Sequence, residues 1–443
     1  LVTKKKFIPY FLDLLSLSLP IIFGNIGQIF IGTTEIYVAG KHSGLTLAAI
    51  GTSQGLTAPF LMIGMGFLFG LSTLIAHKKG EGHNPPTYFR SSLFYGLITS
   101  VIVIPFLWLL ILFIPKIGFD HTLVAPVTNY SILFSFSLLP TFLYQSVREY
   151  LQAIEKVLFA NIISFLASFI NLGLGFLFVF GYGPFSEMGI EGLGWSLNIV
   201  RWLTFITVLF SCLPLLKKPS AINIPFLKET FKLSFPLSIT VFLEVCAFCL
   251  VTVLTGIMGV IEAAAHNVVL TLASMTFMVP MGISHAVCVK VSSSLGMKDF
   301  DKAVLYSWVG IGMATSIMVV SAFCFFYIKW PLFSIFSSDK TIFKVASSIF
   351  TVAAFFQLAD GLQVSLNGIL RAFKMTKECM KVTLFSHWVI GIPLGCFLGF
   401  HLNWGPFGLW IGLAASLFMV SILLLILFLR KVKSLPHTNL ESV

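Results

Sequence analysis

Three carboxylates lie inside long apolar stretches of this 443-residue chain: Glu35, Glu244 and Asp360. Glu35 ends GQIFIGTTE, Glu244 interrupts FLEVCAF, and Asp360 lies within FFQLADGLQ. An ionised carboxylate at the centre of a bilayer costs at least about 2.5–3.5 kcal/mol, so it must be protonated, hydrated or paired with a cation. A carboxylate that exchanges one positive species for another performs antiport chemistry. These acids are therefore the predicted coupling-ion and substrate-binding residues.

The elements that position these acids are predicted to be membrane-spanning helices. The chain is 57% hydrophobic and 10% charged, and its mean hydropathy is +0.97. It is therefore far more apolar than a soluble domain. A helix needs about 20 apolar residues to cross the hydrocarbon. Twelve such runs predict an all-α membrane protein with twelve transmembrane helices and no sizeable soluble domain. The predicted spans are 13–39, 46–76, 92–115, 125–151, 159–181, 190–215, 231–258, 261–289, 303–328, 341–369, 380–400 and 406–430.

The net charge of +11 is explained by orientation in the membrane rather than by nucleic acid. Of 28 Lys and Arg residues, 22 fall in alternate breaks between the spans, beginning with the amino-terminal one. The opposite breaks hold Lys41, Lys116, Lys329, Lys340 and Lys344. By the positive-inside rule this asymmetry places both termini in the cytoplasm of a multi-pass protein of the cell inner (cytoplasmic) membrane.

The two halves of the chain repeat each other. Pro20 of LSLSLP recurs as Pro236 of FKLSFP. The same shift of 216 residues aligns Ala48-Ala49 with Ala264-Ala265, Met65-Gly66 with Met281-Gly282, and Gly80 with Gly296. Such repeats are typical of transporters. We predict pseudo-symmetric six-helix lobes over 1–215 and 231–443, joined by a cytoplasmic linker, 216–230. Each proline is either a gating kink or a packing kink.

Polar and aromatic side chains accompany the acids. Gln357, Gln363 and Asn367 fall close to the helical face of Asp360 and predict a wet cavity. Aromatic rings near the acids offer π-faces to an organic cation, with lipid or core packing as the alternative: Phe242, Phe277 and Phe356.

The remaining polar residues favour structural roles. Arg201 is the only well-embedded basic residue, and we expect it to snorkel or pair structurally. His387 is either a proton relay or a satisfied core histidine. Glu262, His266 and His285 lie near span ends, and the other acids fall in breaks or at span ends, where we expect water to solvate them. The seven cysteines lie almost entirely within spans and predict no disulfide framework.

Three motifs surround the predicted functional acids. The first motif consists of Pro20, Gln28, Glu35 and Ala39-Gly40. The second consists of Phe242, Glu244 and Val245, followed by AAH at 264–266 and FMVPMG at 277–282. The third consists of Gln357, Asp360 and Gln363, followed by G-x-L-R at 368–371. These motifs resemble those of the multidrug and toxic compound extrusion (MATE) transporters, most closely the NorM-like branch. The resemblance covers nearly the whole chain.

The resemblance implies two six-helix bundles that export organic cations in exchange for Na⁺ or H⁺. It implies that Glu244 and Asp360 form a cation site in the second lobe. Glu35 would be the acid of the first lobe, with Asn171 beside it and Gln28 as a supporting polar residue. The chain departs from the family in having Glu35 where Asp is usual and Gly175 where Asp or Asn is frequent. Phe277 and Phe356 stand where relatives can carry Tyr.

We therefore expect a monomeric antiporter that takes up Na⁺ or H⁺ transiently, has no permanent metal or cofactor, and is not an enzyme. The expected partners are organic cations or drug-like molecules and the lipid bilayer, with no nucleic acid. The alternative is a lipid-linked oligosaccharide or peptidoglycan-precursor flippase, which would need Arg and Lys in its cavity. The sequence has no nucleotide loop or nucleophile–base arrangement for an enzyme, and a purely structural protein would not need buried acids.

Overall fold

Twelve helices long and apolar enough to cross a membrane make up most of the structure, a computed structural model that describes residues 4–216 and 221–436. This confirms the predicted number of spans and the all-α class; residues 217–220 of the predicted linker lie outside the described residues. The helices are α1 (Lys4–His42), α2 (Gly44–Gly80), α3 (Pro85–Lys116), α4 (His121–Ala153), α5 (Leu158–Phe180), α6 (Ile190–Ser211), α7 (Ile224–Met258), α8 (Val260–Gly296), α9 (Phe300–Tyr327), α10 (Lys340–Ala372), α11 (Thr376–His401) and α12 (Pro406–Lys433).

Aspartate caps fix where two of the helices around the candidate sites, α4 and α10, begin. At the start of α4, Asp120 Oδ1 accepts the backbone N–H of Thr122 at 2.8 Å. At the start of α10, Asp339 Oδ1 accepts the backbone N–H of Thr341 at 2.7 Å. Each carboxylate thereby satisfies a backbone donor that the first turn of a helix leaves without a partner.

The chain divides into two compact units, and the division runs through two helices. The amino-terminal unit comprises Phe23–Lys79 and His83–Ser238, and the carboxy-terminal unit comprises Leu1–Ile22, Gly80–Gly82 and Ile239–Val443. The boundaries within α1 and α7 each fall two residues after a proline, Pro20 and Pro236. The predicted lobes, 1–215 and 231–443, instead place the division in the segment 216–230, the last part of which is the start of α7 at Ile224. A proline removes a backbone hydrogen bond, so a helix can bend there and pack its two parts against different neighbours.

Small residues allow close helix packing inside each unit. In the amino-terminal unit, Gly64 of α2 has no room for a Cβ because the Phe142 ring of α4 lies against it. In the carboxy-terminal unit, a Cβ on Gly412 of α12 would lie 2.5 Å from the Cα of Gly395 on α11. Close approach through small residues is a general means of helix association in membranes. It holds α11 and α12 against each other.

Candidate functional site

Two of the three predicted acids come together in the carboxy-terminal unit. Gln363 Nε2 on α10 donates to Glu244 Oε1 on α7 at 2.8 Å. Asp360 lies one turn before Gln363 and is close enough to Glu244 for their charges to interact. Asp360 is only 4% exposed. Helices α7 and α10 thus bring the half-buried carboxylate of Glu244 together with the buried carboxylate of Asp360, and we call this the Glu244–Asp360 site.

Amide oxygens add acceptors to this helix face. Gln357, one turn before Asp360, donates through Nε2 to Thr276 Oγ1 of α8 at 2.8 Å. The Oε1 atoms of Gln357 and Gln363 are buried and have no hydrogen-bond partner among the described residues. Carboxylate and amide oxygens are the ligands that hard cations prefer. The helix face of Asp360, which the sequence predicts to be polar, therefore carries oxygen atoms that could act as cation ligands.

Neighbouring helices anchor the backbone beside both acids. Trp388 Nε1 of α11 donates to the carbonyl oxygen of Leu243 at 3.2 Å. Ser421 Oγ of α12 donates to the carbonyl oxygen of Ala359 at 2.7 Å. Because Leu243 and Ala359 immediately precede the two acids, these bonds restrict the positions of both side chains.

The three aromatic candidates occupy different environments. Phe356 is 4% exposed and packs edge-on against Phe248 and Trp410, with ring centroids 6.0 and 5.6 Å away. This packing favours the core alternative for Phe356. Phe277 is partly buried and Phe242 is exposed, so an aromatic role for them stays a prediction.

Asn367 ends the predicted polar stripe of α10. It is partly buried, and none of the described residues forms a hydrogen bond with it. The side chain is thus available to water or to a ligand.

The third acid, Glu35, lies in the amino-terminal unit and is 3% exposed. Its Oε2 atom accepts hydrogen bonds from Gln54 Nε2 at 2.9 Å and from Tyr130 OH at 3.0 Å. Its Oε1 atom is buried without a partner in the described part of the chain. One oxygen is therefore fixed by two donors, and the other is available to a proton or a cation.

A cavity of about 80 Å³ in the same unit has Arg201 in its wall. The guanidinium lies 5.0 Å from the centre of the Phe134 ring and donates to Ser137 Oγ at 2.6 Å. Arg201 also interacts electrostatically with Glu35. The cavity has room for several waters, at about 10–15 Å³ each. The other lining residues are Gln28, Ile31, Leu61, Met65, Thr141, Tyr144, Ser164, Ala167 and Thr204.

Asn171 joins three helices near Glu35 without contacting its carboxylate. Its Nδ2 atom on α5 donates to Thr34 Oγ1 of α1 at 3.2 Å. Its Oδ1 atom accepts from Ser196 Oγ of α6 at 2.8 Å. Asn171 therefore positions the segment of α1 that carries Glu35.

Glu149 of α4 is a buried acid that the sequence reasoning missed. The prediction that acids at span ends are solvated is wrong here, because Glu149 is 0% exposed. Its Oε1 atom accepts hydrogen bonds from Gln145 and Gln152 at 2.8 and 3.1 Å. The spacing of these three residues, on one helix face, is the signal that could have identified the cluster.

Three histidines are also buried in the carboxy-terminal unit: His266, His285 and His387. His266, predicted to lie near a span end, is 0% exposed and contacts Thr252 Oγ1 and Trp410 Nε1 at 2.9 and 3.0 Å. Both of its ring nitrogens are thus engaged in the core. His387 pairs Nδ1 with Ser416 Oγ at 2.8 Å, whereas its buried Nε2 has no partner among the described residues.

Twelve apolar helices, a two-fold sequence repeat and buried carboxylates define a multi-pass membrane transporter. The sequence model of the MatE family matches residues 20–177 and 236–397. One match falls in each repeat, and the matches begin at Pro20 and Pro236. The chain belongs to the MatE family, which confirms the resemblance to the MATE transporters.

Similar proteins cover almost the full chain. It is 27% identical over 428 residues to "Probable multidrug resistance protein NorM" of Acinetobacter baylyi, covering 94% of this chain and 95% of that protein. It is 28% identical over 426 residues to "Multidrug resistance protein NorM" of Aliivibrio fischeri, covering 93% and 92%. The fold is similar to the eukaryotic MATE transporter AtDTX14, with a TM-score of 0.84, 19% identity and 96% and 99% coverage. It is also similar to a mutant of the Vibrio cholerae MATE transporter VcmN, with a TM-score of 0.86, 16% identity and 99% and 100% coverage.

Proposed function

We propose that this protein is an antiporter that exports organic, often cationic, drugs or toxic compounds across the cytoplasmic membrane, driven by inward movement of Na⁺ or H⁺. The observation that carries the proposal is the Glu244–Asp360 site, where two carboxylates and an amide donor lie together on α7 and α10. The names of the NorM relatives, which describe multidrug resistance proteins, support drug-like compounds as the cargo.

The like charges of Glu244 and Asp360 provide a physical basis for exchange. Two ionised carboxylates in a low-dielectric site repel each other, so a proton or cation stabilises the pair. A coupling ion and a cationic substrate would compete for the same oxygens, which couples their binding. In the outward-facing state the acids would take up the coupling ion and lose affinity for substrate. In the inward-facing state, release of the ion would free them to bind substrate again.

Glu35 offers a further exchange site in the amino-terminal unit. Its Oε1 atom has no partner in the described chain, whereas Gln54 and Tyr130 fix its Oε2 atom. We assign it to coupling-ion or substrate binding on the same electrostatic grounds.

The proposed setting is the inner membrane, with both termini in the cytoplasm. The distribution of 22 of 28 basic residues in alternate connections supports this orientation. We propose a monomer that works without a resident cofactor and carries out no chemical conversion of its cargo.

Reconstitution into liposomes tests the proposal. Purified protein is expected to move a cationic dye such as ethidium against its gradient when a Na⁺ or H⁺ gradient is imposed, and replacing Na⁺ with K⁺ at fixed pH identifies the coupling ion. Glu244→Gln and Asp360→Asn should each abolish gradient-driven transport. Glu378→Gln removes an exposed carboxylate of the same unit and should transport normally. Retained transport in both site variants would refute the assignment.

The alternative cargo is an anionic lipid-linked oligosaccharide or peptidoglycan precursor. The presence of Arg201 in the wall of the amino-terminal cavity favours it, since guanidinium groups bind phosphates well. Transbilayer movement of a lipid-linked pyrophosphate in the same liposomes, without dye transport, would establish this alternative and exclude cation export.

A further inference from the structure

Glu149 is a third deeply buried carboxylate, besides Glu35 and Asp360, and the proposed exchange does not use it. Glu149 is 0% exposed, and Gln145 and Gln152 are each 1% exposed. They precede and follow Glu149 by four and three residues on α4, so all three share one helix face. We call them the Gln145–Glu149–Gln152 cluster.

Hydrogen bonds inside the cluster leave three oxygens without partners. Both amide nitrogens donate to the same atom, Glu149 Oε1, at 2.8 Å from Gln145 and 3.1 Å from Gln152. Glu149 Oε2 and the two glutamine Oε1 atoms are buried and accept no hydrogen bond from the described residues. Exchanging the nitrogen and oxygen of either amide would turn its oxygen towards the carboxylate, which would repel it. The carboxylate therefore fixes which atom of each amide is the nitrogen. Three acceptors without partners among the described residues thus belong to one carboxylate and to the two amides bonded to it.

The charge of Glu149 has no direct cationic partner in the described part of the chain. The neighbouring Arg148 instead directs its Nε to Asn161 Oδ1 at 2.8 Å and an Nη to Asn25 Oδ1 at 2.6 Å. An uncompensated buried carboxylate is strongly unfavourable. A positive species that also satisfies the amide oxygens would remove both costs.

We propose that the Gln145–Glu149–Gln152 cluster binds a hard monovalent cation, for which Na⁺ is the probe. One carboxylate and two neutral amide oxygens balance a single positive charge and provide hard ligands, and waters or backbone carbonyls complete the coordination. The site is distinct from the Glu35 site. Tyr130, which contacts Glu35, precedes Glu149 by nineteen residues on the same helix, which is roughly 28 Å at 1.5 Å per residue.

The other unit lacks this arrangement. Glu155 and Lys374 are positive-φ residues at equivalent positions just after α4 and α10. Alignment on them places Gly368 opposite Glu149 and Arg371 opposite Gln152. The carboxy-terminal unit thus has a glycine, Gly368, in place of the carboxylate of Glu149. It has a positively charged side chain, Arg371, in place of the amide oxygen of Gln152. The proposed site belongs to the amino-terminal unit alone and does not depend on the antiport proposal.

Equilibrium binding of ²²Na⁺ to the purified full-length protein tests the proposal. The Glu149→Gln variant should bind one Na⁺ ion fewer per chain than the wild type, because the substitution removes the negative charge and one oxygen ligand of the site. The new amide can donate to the neighbouring glutamine oxygens, so we expect the variant to fold. Glu155→Gln removes a partly exposed acid at the same end of α4, which pairs with Lys79 at 3.1 Å, and should bind as much ²²Na⁺ as the wild type.

A second variant keeps the carboxylate. Gln152→Leu removes one oxygen ligand, and we expect it to weaken Na⁺ binding at this site at least tenfold; it also provides the readout if Glu149→Gln fails to fold. Wild-type ²²Na⁺ stoichiometry and affinity in the folded variants would overturn the proposal. That result would assign the three oxygens to water or to a proton on Glu149.

Discussion

Tyr130→Phe tests how the surroundings of Glu35 control its exchange of cations. The Tyr130 ring is 0% exposed, and Phe has nearly the same shape, so the substitution should preserve packing. It removes the hydroxyl that donates to Glu35 Oε2 at 3.0 Å. That donor stabilises the ionised carboxylate and weakens when a proton or cation neutralises it. Its loss should therefore strengthen binding of the coupling cation.

The structure indicates the size of this effect. A hydrogen bond to a charged group contributes about 1.5–3 kcal/mol. Gln54 still donates to the same oxygen in the variant, so we take the lower end, which corresponds to about tenfold in affinity. In reconstituted liposomes, the coupling-cation concentration that half-saturates dye transport should fall about tenfold. The control, Tyr95→Phe, removes a buried hydroxyl of the same unit that contacts no carboxylate among the described residues. An unchanged half-saturating concentration for Tyr130→Phe would refute the role of this hydrogen bond.

Three further predictions concern other parts of the structure. Gln357→Leu removes an amide whose oxygen has no partner among the described residues and whose nitrogen donates to no carboxylate there, so equilibrium binding of a labelled organic cation should weaken about tenfold, which follows from about 1.5 kcal/mol for a hydrogen bond to a charged group; wild-type affinity would contradict it. Pro20→Ala restores a backbone hydrogen-bond donor near the unit boundary in α1. If the kink at Pro20 serves gating, dye transport should be slower while the affinity for dye is unchanged. Transport at the wild-type rate would indicate a packing kink instead. Gly412→Ala forces a Cβ into the backbone of α11. We expect it to lower the free energy of unfolding, measured by thermal denaturation, by about 1–3 kcal/mol. Gly173→Ala, which enters open space, is its control, and equal stability of the two would contradict the packing argument.

The spans and the Glu244–Asp360 site could be predicted from sequence because both depend on local patterns. Apolar length alone identifies a helix that can cross a bilayer. The cost of charge in lipid singles out Glu244 and Asp360, and helical periodicity places Gln363 beside them. The hydrogen bond between Gln363 and Glu244 shows that these local rules extend to contact between two helices.

The environments that the sequence did not reveal depend on tertiary packing. Glu149 lies four residues from the end of α4, where a single helix gives no information on whether neighbouring helices cover the side chain. Phe356 is equally apolar in a cavity wall or a core, and only the contacts with Phe248 and Trp410 distinguish them. The unit boundaries within α1 and α7 likewise depend on which neighbours each half of a bent helix contacts.

Competition binding at the Glu244–Asp360 site tests the central claim most directly. A fluorescent organic cation is bound to purified protein and titrated with Na⁺ at constant ionic strength, and separately with H⁺. The account predicts that one of these ions displaces the dye competitively, and that Glu244→Gln/Asp360→Asn loses both dye binding and displacement while Glu378→Gln retains them. Dye binding that is insensitive to both ions, or that persists in the double variant, would contradict it.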